Sequence, residues 1–206
     1  FRPHWTTRKI KMLGADMEKL LWFYRSDAKT AEAQRQVVRD LVVECAEQSL
    51  PFVVEPIWYA LPGEDTKTTA WKERRVEGIT ESAHVAAEFG ADMLKVEFPG
   101  DVSTPQGRRA AAKACQRLND GMVQPWVILS AGVGYEEFKT QVEVACDAGA
   151  SGFLGGRSIW QDAVSTRDPA ARAVAAKEAA DRLAELTEVT RRHGRPYAPA
   201  VTGDQL

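Results

Sequence analysis

Soft metal ligands and cross-links are scarce in this sequence. Three cysteines and three histidines are spread over 206 residues. Cys45, Cys115 and Cys146 each fall inside an apparent amphipathic helix, far from one another. They read as reduced, buried thiols of a cytoplasmic protein, neither disulfides nor metal ligands. His4, His84 and His193 are equally scattered, so no metal cluster is expected. No apolar run approaches the roughly 18 residues needed to span a bilayer, and no signal peptide is visible, so no membrane partner is expected. An excess of one charge is missing as well. The formal net charge of −2 gives no basic face for nucleic acid and no acidic, disordered tail. The chain opens on Phe1 rather than Met, which suggests that sequence upstream is missing.

What is present is an alternation of strand and helix patterns. Thr6 or Thr7 caps a short helix to Leu13, ended by Gly14. Strand patterns follow over 18–24, 51–57, 91–99, 125–130 and 151–154, separated by helical periodicity over 30–48, 71–89, 106–119 and 135–148. A short helix near 159–163 precedes a long alanine-rich one, which Asp168-Pro169 starts and which runs to about His193. The segment from Arg195 reads as a loose tail. Five strands alternating with helices, with no hairpin signal, imply a parallel sheet wrapped by helices. A doubly wound nucleotide-binding fold would carry its Gly-rich turn after the first strand. Here that turn is Arg25-Ser26-Asp27, without glycine. A TIM (β/α)8-barrel type of α/β fold is therefore expected, with its chemistry at the C-terminal ends of several strands.

The strand Ala91–Pro99 organises the candidate chemistry. It reads Ala-Asp-Met-Leu-Lys-Val-Glu-Phe-Pro, apolar except for two ionisable residues that alternation sends to one face, Lys95 and Glu97. A lysine is seldom buried unless paired or used, and a desolvated one becomes the neutral amine that attacks carbonyls. It can equally be held for structure by Glu97 or by a carboxylate of a neighbouring strand. Glu55, fixed in extended geometry by Pro56, is either an acid/base group or that ion-pair partner. Lys19 is either a second cation of the site or a lysine at the barrel rim. After the fourth strand, Leu129-Ser130-Ala131-Gly132 suits a phosphate, and after the fifth Gly155-Gly156-Arg157 adds a guanidinium fork. Either turn alone is also a common strand-to-helix connection. The tryptophans Trp22, Trp58, Trp126 and Trp160 read as packing.

Several blocks together carry a resemblance. Gly14-Ala15-Asp16, Lys19-Leu20-Leu21, Glu55-Pro56, Gly90-Ala91-Asp92, Leu94-Lys95-Val96-Glu97, Leu129-Ser130-Ala131-Gly132-Val133 and Gly156-Arg157 recur in this order in class I aldolases of the tagatose 1,6-diphosphate aldolase group. Arg25-Ser26-Asp27, Gln116 to Asp120, Pro125 to Ser130 and Gly149 to Leu154 resemble its sulfofructosephosphate aldolase branch. The resemblance implies a barrel enzyme that cleaves a ketose 1-phosphate to dihydroxyacetone phosphate and an aldehyde. By it, Lys95 is the Schiff-base lysine, Glu55 the acid/base carboxylate and Lys19 a second active-site lysine. Ser130, Gly132, Gly156 and Arg157 bind the substrate phosphate, and Glu97 supports the site. A protonated imine is an electron sink, so neither metal nor cofactor is implied. The partner is a small sugar phosphate, and homo-oligomerisation is left open.

The departure lies at the front. Family members begin with about three more strands, so these five βα units would be the fourth to the eighth, over 1–194, with a flexible tail over 195–206. A typical barrel needs about 250 residues. Two other readings stand beside the aldolase: a non-catalytic sugar-phosphate-binding barrel remnant, and a phosphate-binding barrel isomerase or synthase without imine chemistry.

Overall fold

A computed structural model describes residues 4–197. Its centre is one five-stranded sheet in the order β1-β2-β3-β4-β5, with every neighbouring pair parallel. The strands are β1 (Glu18–Phe23), β2 (Phe52–Ile57), β3 (Met93–Val96), β4 (Trp126–Leu129) and β5 (Gly152–Leu154). The helices are α1 (Thr7–Met12), α2 (Ala31–Glu47), α3 (Thr69–Glu88), α4 (Pro105–Asn119), α5 (Tyr135–Asp147), α6 (Arg157–Ser165) and α7 (Pro169–His193). Right-handed crossovers that always step in one direction place all their helices on one face of the sheet. A doubly wound sheet would reverse its order part-way. Sequential order is thus the arc of a barrel, and the parallel α/β sheet expected from the alternation is what forms.

Register separates the two faces. Trp22, Phe52, Val54, Leu94, Val96, Trp126 and Ile128 point outward and join the buried core beneath the helices, with Val38, Ile79, Ala83, Cys115, Leu118, Phe138 and Val142. The inner face carries Lys19, Leu21 and Phe23 from β1, Val53 and Glu55 from β2, Met93 and Lys95 from β3, and Val127 and Leu129 from β4. Leu21, Phe23 and, on β5, Leu154 are about half exposed, so this concave face lies open along both edges.

Local chemistry sets the helix starts. Thr6, Thr68, Thr104 and Asp168 accept hydrogen bonds from the first-turn N–H groups of α1, α3, α4 and α7, satisfying donors that a helix cannot pair internally. Thr68 moves the start of α3 two residues ahead of the expected Trp71, a cap hidden in a polar loop. Pro56 lies beyond the β2–β3 ladder, whose last pair is Val54–Leu94, so its missing N–H costs that ladder nothing.

The cysteines are buried free thiols. Burial pushes Cys45 and Cys115 up to about 12 and Cys146 up to about 11, which keeps them unreactive. Trp22 and Trp126 are packed as expected, and their indoles donate to the Gln34 carbonyl and to Asn119 Oδ1, both at 3.0 Å. Trp160 departs from the packing assignment: it sits on α6 at 44% exposure. The expected loose tail begins with an anchored residue. Arg195 N–H donates to the Ala150 carbonyl at 2.9 Å and its guanidinium to the Gln124 carbonyl at 2.9 Å, while residues 198–206 lie outside the described residues. Among the described residues no helix is long and apolar enough to cross a membrane.

Gly78 of α3 is fixed by a neighbour. A Cβ there would stand 2.0 Å from Trp58 Nε1. We expect Gly78→Ala to destabilise the fold by about 1–3 kcal/mol through overpacking, read as a lower denaturant midpoint at unchanged slope.

Candidate active site

Adjacent strands bring the three ionisable candidates together. Glu55 and Lys95 each stand two residues beyond the paired Val53 and Met93, so both project inward at one level. Lys19 pairs in register with Val53, one layer below, and reaches up. Glu55 Oε2 accepts from Lys19 Nζ at 2.7 Å, and Glu55 Oε1 lies 3.0 Å from Lys95 Nζ. The carboxylate side chain is 9% exposed, Lys95 20% and Lys19 43%, so the trio grades from a dry floor to open solvent. Burial alone would raise the Glu55 carboxyl. Hydrogen bonds from Lys19 and Lys95 outweigh it and hold the group below its ordinary value of 4.5. At neutral pH Glu55 is thus an anion.

Lys95 therefore takes its carboxylate from the neighbouring strand, not from Glu97. β3 ends at Val96, and Glu97 leaves the pleat. Its carboxylate accepts the Trp58 N–H at 3.0 Å and pairs with Arg75 of α3 at 2.7 Å. Strand alternation applies only as far as the strand runs.

The two glycine turns also meet. The Ser130 carbonyl accepts from Val133 N–H at 3.0 Å, and the two residues between have positive φ, +47° at Ala131 and +82° at Gly132. That is a type I′ turn, and for an alanine it is strained by about 1–2 kcal/mol. Strain of this kind concentrates at functional sites. A Cβ on Gly132 would lie 3.3 Å from Arg157 Nη2, so the guanidinium rests directly against the turn. Ser158 donates to the Val133 carbonyl and fastens the start of α6 there. Gly156 caps α6 with open space where a side chain would stand, and a Cβ on Gly155 would meet Ile159 Cδ1 at 2.4 Å, so Ile159 packs directly over the turn. Arg157 makes no ion pair among the described residues, and Ser130, which opens the turn, is buried. The start of α6, a guanidinium without a carboxylate and the Ser130–Val133 turn meet here, a combination suited to a phosphate.

A groove of about 710 Å³ lies elsewhere, between α3 and α4, lined by Trp71, Val76, Ala110 and Lys113 among others. It contains none of the three charged residues of the site or the phosphate candidates. The grouped charges, not this groove, mark the candidate active site.

Comparison with known proteins gives the family. The family model described as "DeoC/LacD family aldolase" matches residues 2–162. The chain belongs to this aldolase family. Tagatose 1,6-diphosphate aldolase 1 of Streptococcus pyogenes is 29% identical over 175 residues, covering 78% of this chain and 54% of the relative. Tagatose 1,6-diphosphate aldolase 2 of the same species is 27% identical over the same shares. The chain thus spans about half the length of the curated relatives it matches. Among solved structures, an archaeal fructose-1,6-bisphosphate aldolase, captured with its catalytic lysine covalently bound to the carbinolamine intermediate, superposes with a TM-score of 0.63 at 19% identity. That match covers 91% of this chain and 62% of the other. A fructose-bisphosphate aldolase of Slackia heliotrinireducens gives 0.59 at 20% identity, over 93% and 58%. These likenesses establish the aldolase fold, of which the five-stranded parallel arc is a part.

One polar cluster of this family member escaped the reading of the sequence. Arg25 has a wholly buried side chain that pairs with Asp27 at 2.8 Å and with Glu64 of the 61–67 loop. Its guanidinium carbon lies 4.2 Å over the Trp58 ring. The available signal was a charged residue immediately after a strand, directly preceding a tight turn.

Proposed function

We propose that this chain carries the imine-forming half of a class I aldolase acting on a ketose 1-phosphate. Its five βα units take the place of the fourth to eighth of a barrel over residues 1–194. Lys95 Nζ, as free amine, adds to the C2 carbonyl, and the carbinolamine takes up a proton from solvent and loses water to give a protonated imine. The Glu55 carboxylate removes the C4 hydroxyl proton. The C3–C4 bond then breaks, its electron pair passes into the imine, and an aldehyde departs. Protonation of the enamine at C3 and hydrolysis release dihydroxyacetone phosphate and regenerate the amine. Lys19 holds the second oxygen of Glu55 and keeps the carboxylate ionised. Ser130, Gly132, Gly156 and Arg157 hold the phosphate.

The observation that carries this reading is a single buried carboxylate within 3.0 Å of two lysines from the strands on either side of it. The phosphate candidates follow the next two strands, β4 and β5, so the substrate would lie across the arc with its phosphate beyond the end of β5 and its cleaved bond over β3 and β2. The intact protein is offered tagatose 1,6-bisphosphate, fructose 1,6-bisphosphate and 6-deoxy-6-sulfofructose 1-phosphate, and dihydroxyacetone phosphate is measured. Turnover of at least one, with borohydride inactivating the enzyme only when substrate is present, is expected. Turnover that borohydride never arrests would reject the imine.

Arg157 provides a separate check. Arg157→Ala removes a charged hydrogen-bond partner worth about 1.5–3 kcal/mol, so dihydroxyacetone phosphate should bind about 10- to 150-fold more weakly. Calorimetry showing unchanged binding would place the phosphate elsewhere.

A further inference from the structure

The inner-face trio sits at a weak point of the sheet. The β2–β3 ladder ends at Val54–Leu94, one residue short of Glu55 and Lys95 on each strand. Above that level β2 and β3 are joined by a side chain. Glu97, the first residue after β3, accepts the N–H of Trp58, the first residue after β2, at 3.0 Å. Glu97 is two residues from Lys95, and Trp58 three from Glu55. The other Glu97 oxygen is held by Arg75 at 2.7 Å, so the carboxylate cannot turn away without leaving a guanidinium unpaired. Trp58 is fixed in turn. Its ring lies between Arg25 and Trp71, with centroid distances of 4.2 and 5.6 Å, and packs against Gly78. The Arg25 guanidinium also donates to the Tyr59 carbonyl at 3.0 Å, tying the end of β1 to the same loop.

We propose that Glu97 is a positioning residue that sets the Lys95–Glu55 separation by clasping the ends of β2 and β3 through the Trp58 N–H. The Glu97 oxygens face the Trp58 N–H and Arg75, not Lys95, so Glu97 is given no proton to handle. Loss of the clasp lets β2 move relative to β3 just where one carboxylate must serve both the amine and the substrate hydroxyl. Misplacement of about 1 Å in such a site costs on the order of 10²-fold in rate. The phosphate candidates lie in the turns after β4 and β5, away from the clasp, so phosphate binding should be spared.

This inference rests on the imine reading, and the test separates the two. The intact protein, Glu97→Gln and Arg75→Met are compared by kcat, KM and the rate of borohydride trapping with dihydroxyacetone phosphate, across pH and per folded molecule. Glutamine cannot accept from both partners, so kcat and trapping should fall about 10- to 100-fold with KM changed less than threefold. The acidic limb of the profile should move upward, because a looser Lys95 hydrogen bond leaves burial to raise Glu55. Arg75→Met, which keeps Glu97 but removes its anchor, should show a smaller fall in the same direction, and it decides the matter if Glu97→Gln does not fold. Wild-type protein that traps nothing overturns the imine reading and the clasp with it. Variants that trap at the wild-type rate with an unmoved pH profile overturn the clasp alone.

Discussion

Replacing Lys95 should abolish the aldol reaction while leaving the protein folded. Lys95→Arg keeps the cation beside Glu55, but a guanidinium does not give up its proton at usable pH and cannot form the imine. Lys95→Ala removes the amine altogether. Either change should lower kcat by about four orders of magnitude or more, the scale on which a covalent nucleophile is missed. The fold should tolerate both, because Glu55 retains its 2.7 Å bond from Lys19 and is not left as a lone buried charge. Circular dichroism and a denaturant midpoint near wild type, together with lost turnover, are the expected pair of results. A variant that keeps a tenth of the activity would show that another residue carries the substrate.

The second large effect belongs to Glu55. Glu55→Gln leaves a group of the same shape that cannot take the C4 hydroxyl proton, and kcat should fall about 10²- to 10⁴-fold, the usual worth of a positioned acid or base. The pH dependence follows from the two lysines. Because their hydrogen bonds hold the carboxyl below its ordinary 4.5, the acidic limb of kcat/KM should lie below that value in the wild-type protein. The same depression contributes folding stability that is present above the unfolded value and lost as pH falls through the folded one. Lys19→Ala removes one of the two lowering contacts while burial continues to raise the group, so the limb should move upward. A limb that stays in place in Lys19→Ala would deny the coupling between Lys19 and Glu55.

Much of this was legible in the chain. Strand-to-helix alternation gave the parallel sheet, and the glycine turns after β4 and β5 marked the place where Arg157 comes to rest against Gly132. Those features are local: a period, a cap, a φ that only a few residues tolerate. The pairings were not local. Alternation left Glu97 and a neighbouring strand's carboxylate, Glu55, both open as partners of Lys95; the strand stops at Val96, and inter-strand register brings Glu55, 40 positions earlier, level with it. Glu97 and Trp58 bond across 39 positions, and Arg25 and Glu64 likewise. No periodicity encodes such contacts, because they depend on where two strands happen to end. Trp160 was misread for a related reason: a tryptophan on a short amphipathic helix looks like core until the face it occupies is known.

The most direct measurement locates the covalent bond. The intact protein is incubated with dihydroxyacetone phosphate, reduced with borohydride and digested, and the modified peptide is sequenced by mass spectrometry. The expected result is one glyceryl phosphate adduct, on Lys95, absent without borohydride and absent in Lys95→Arg. An adduct on Lys19, or a protein that turns over substrate and yields no adduct, would contradict the assignment.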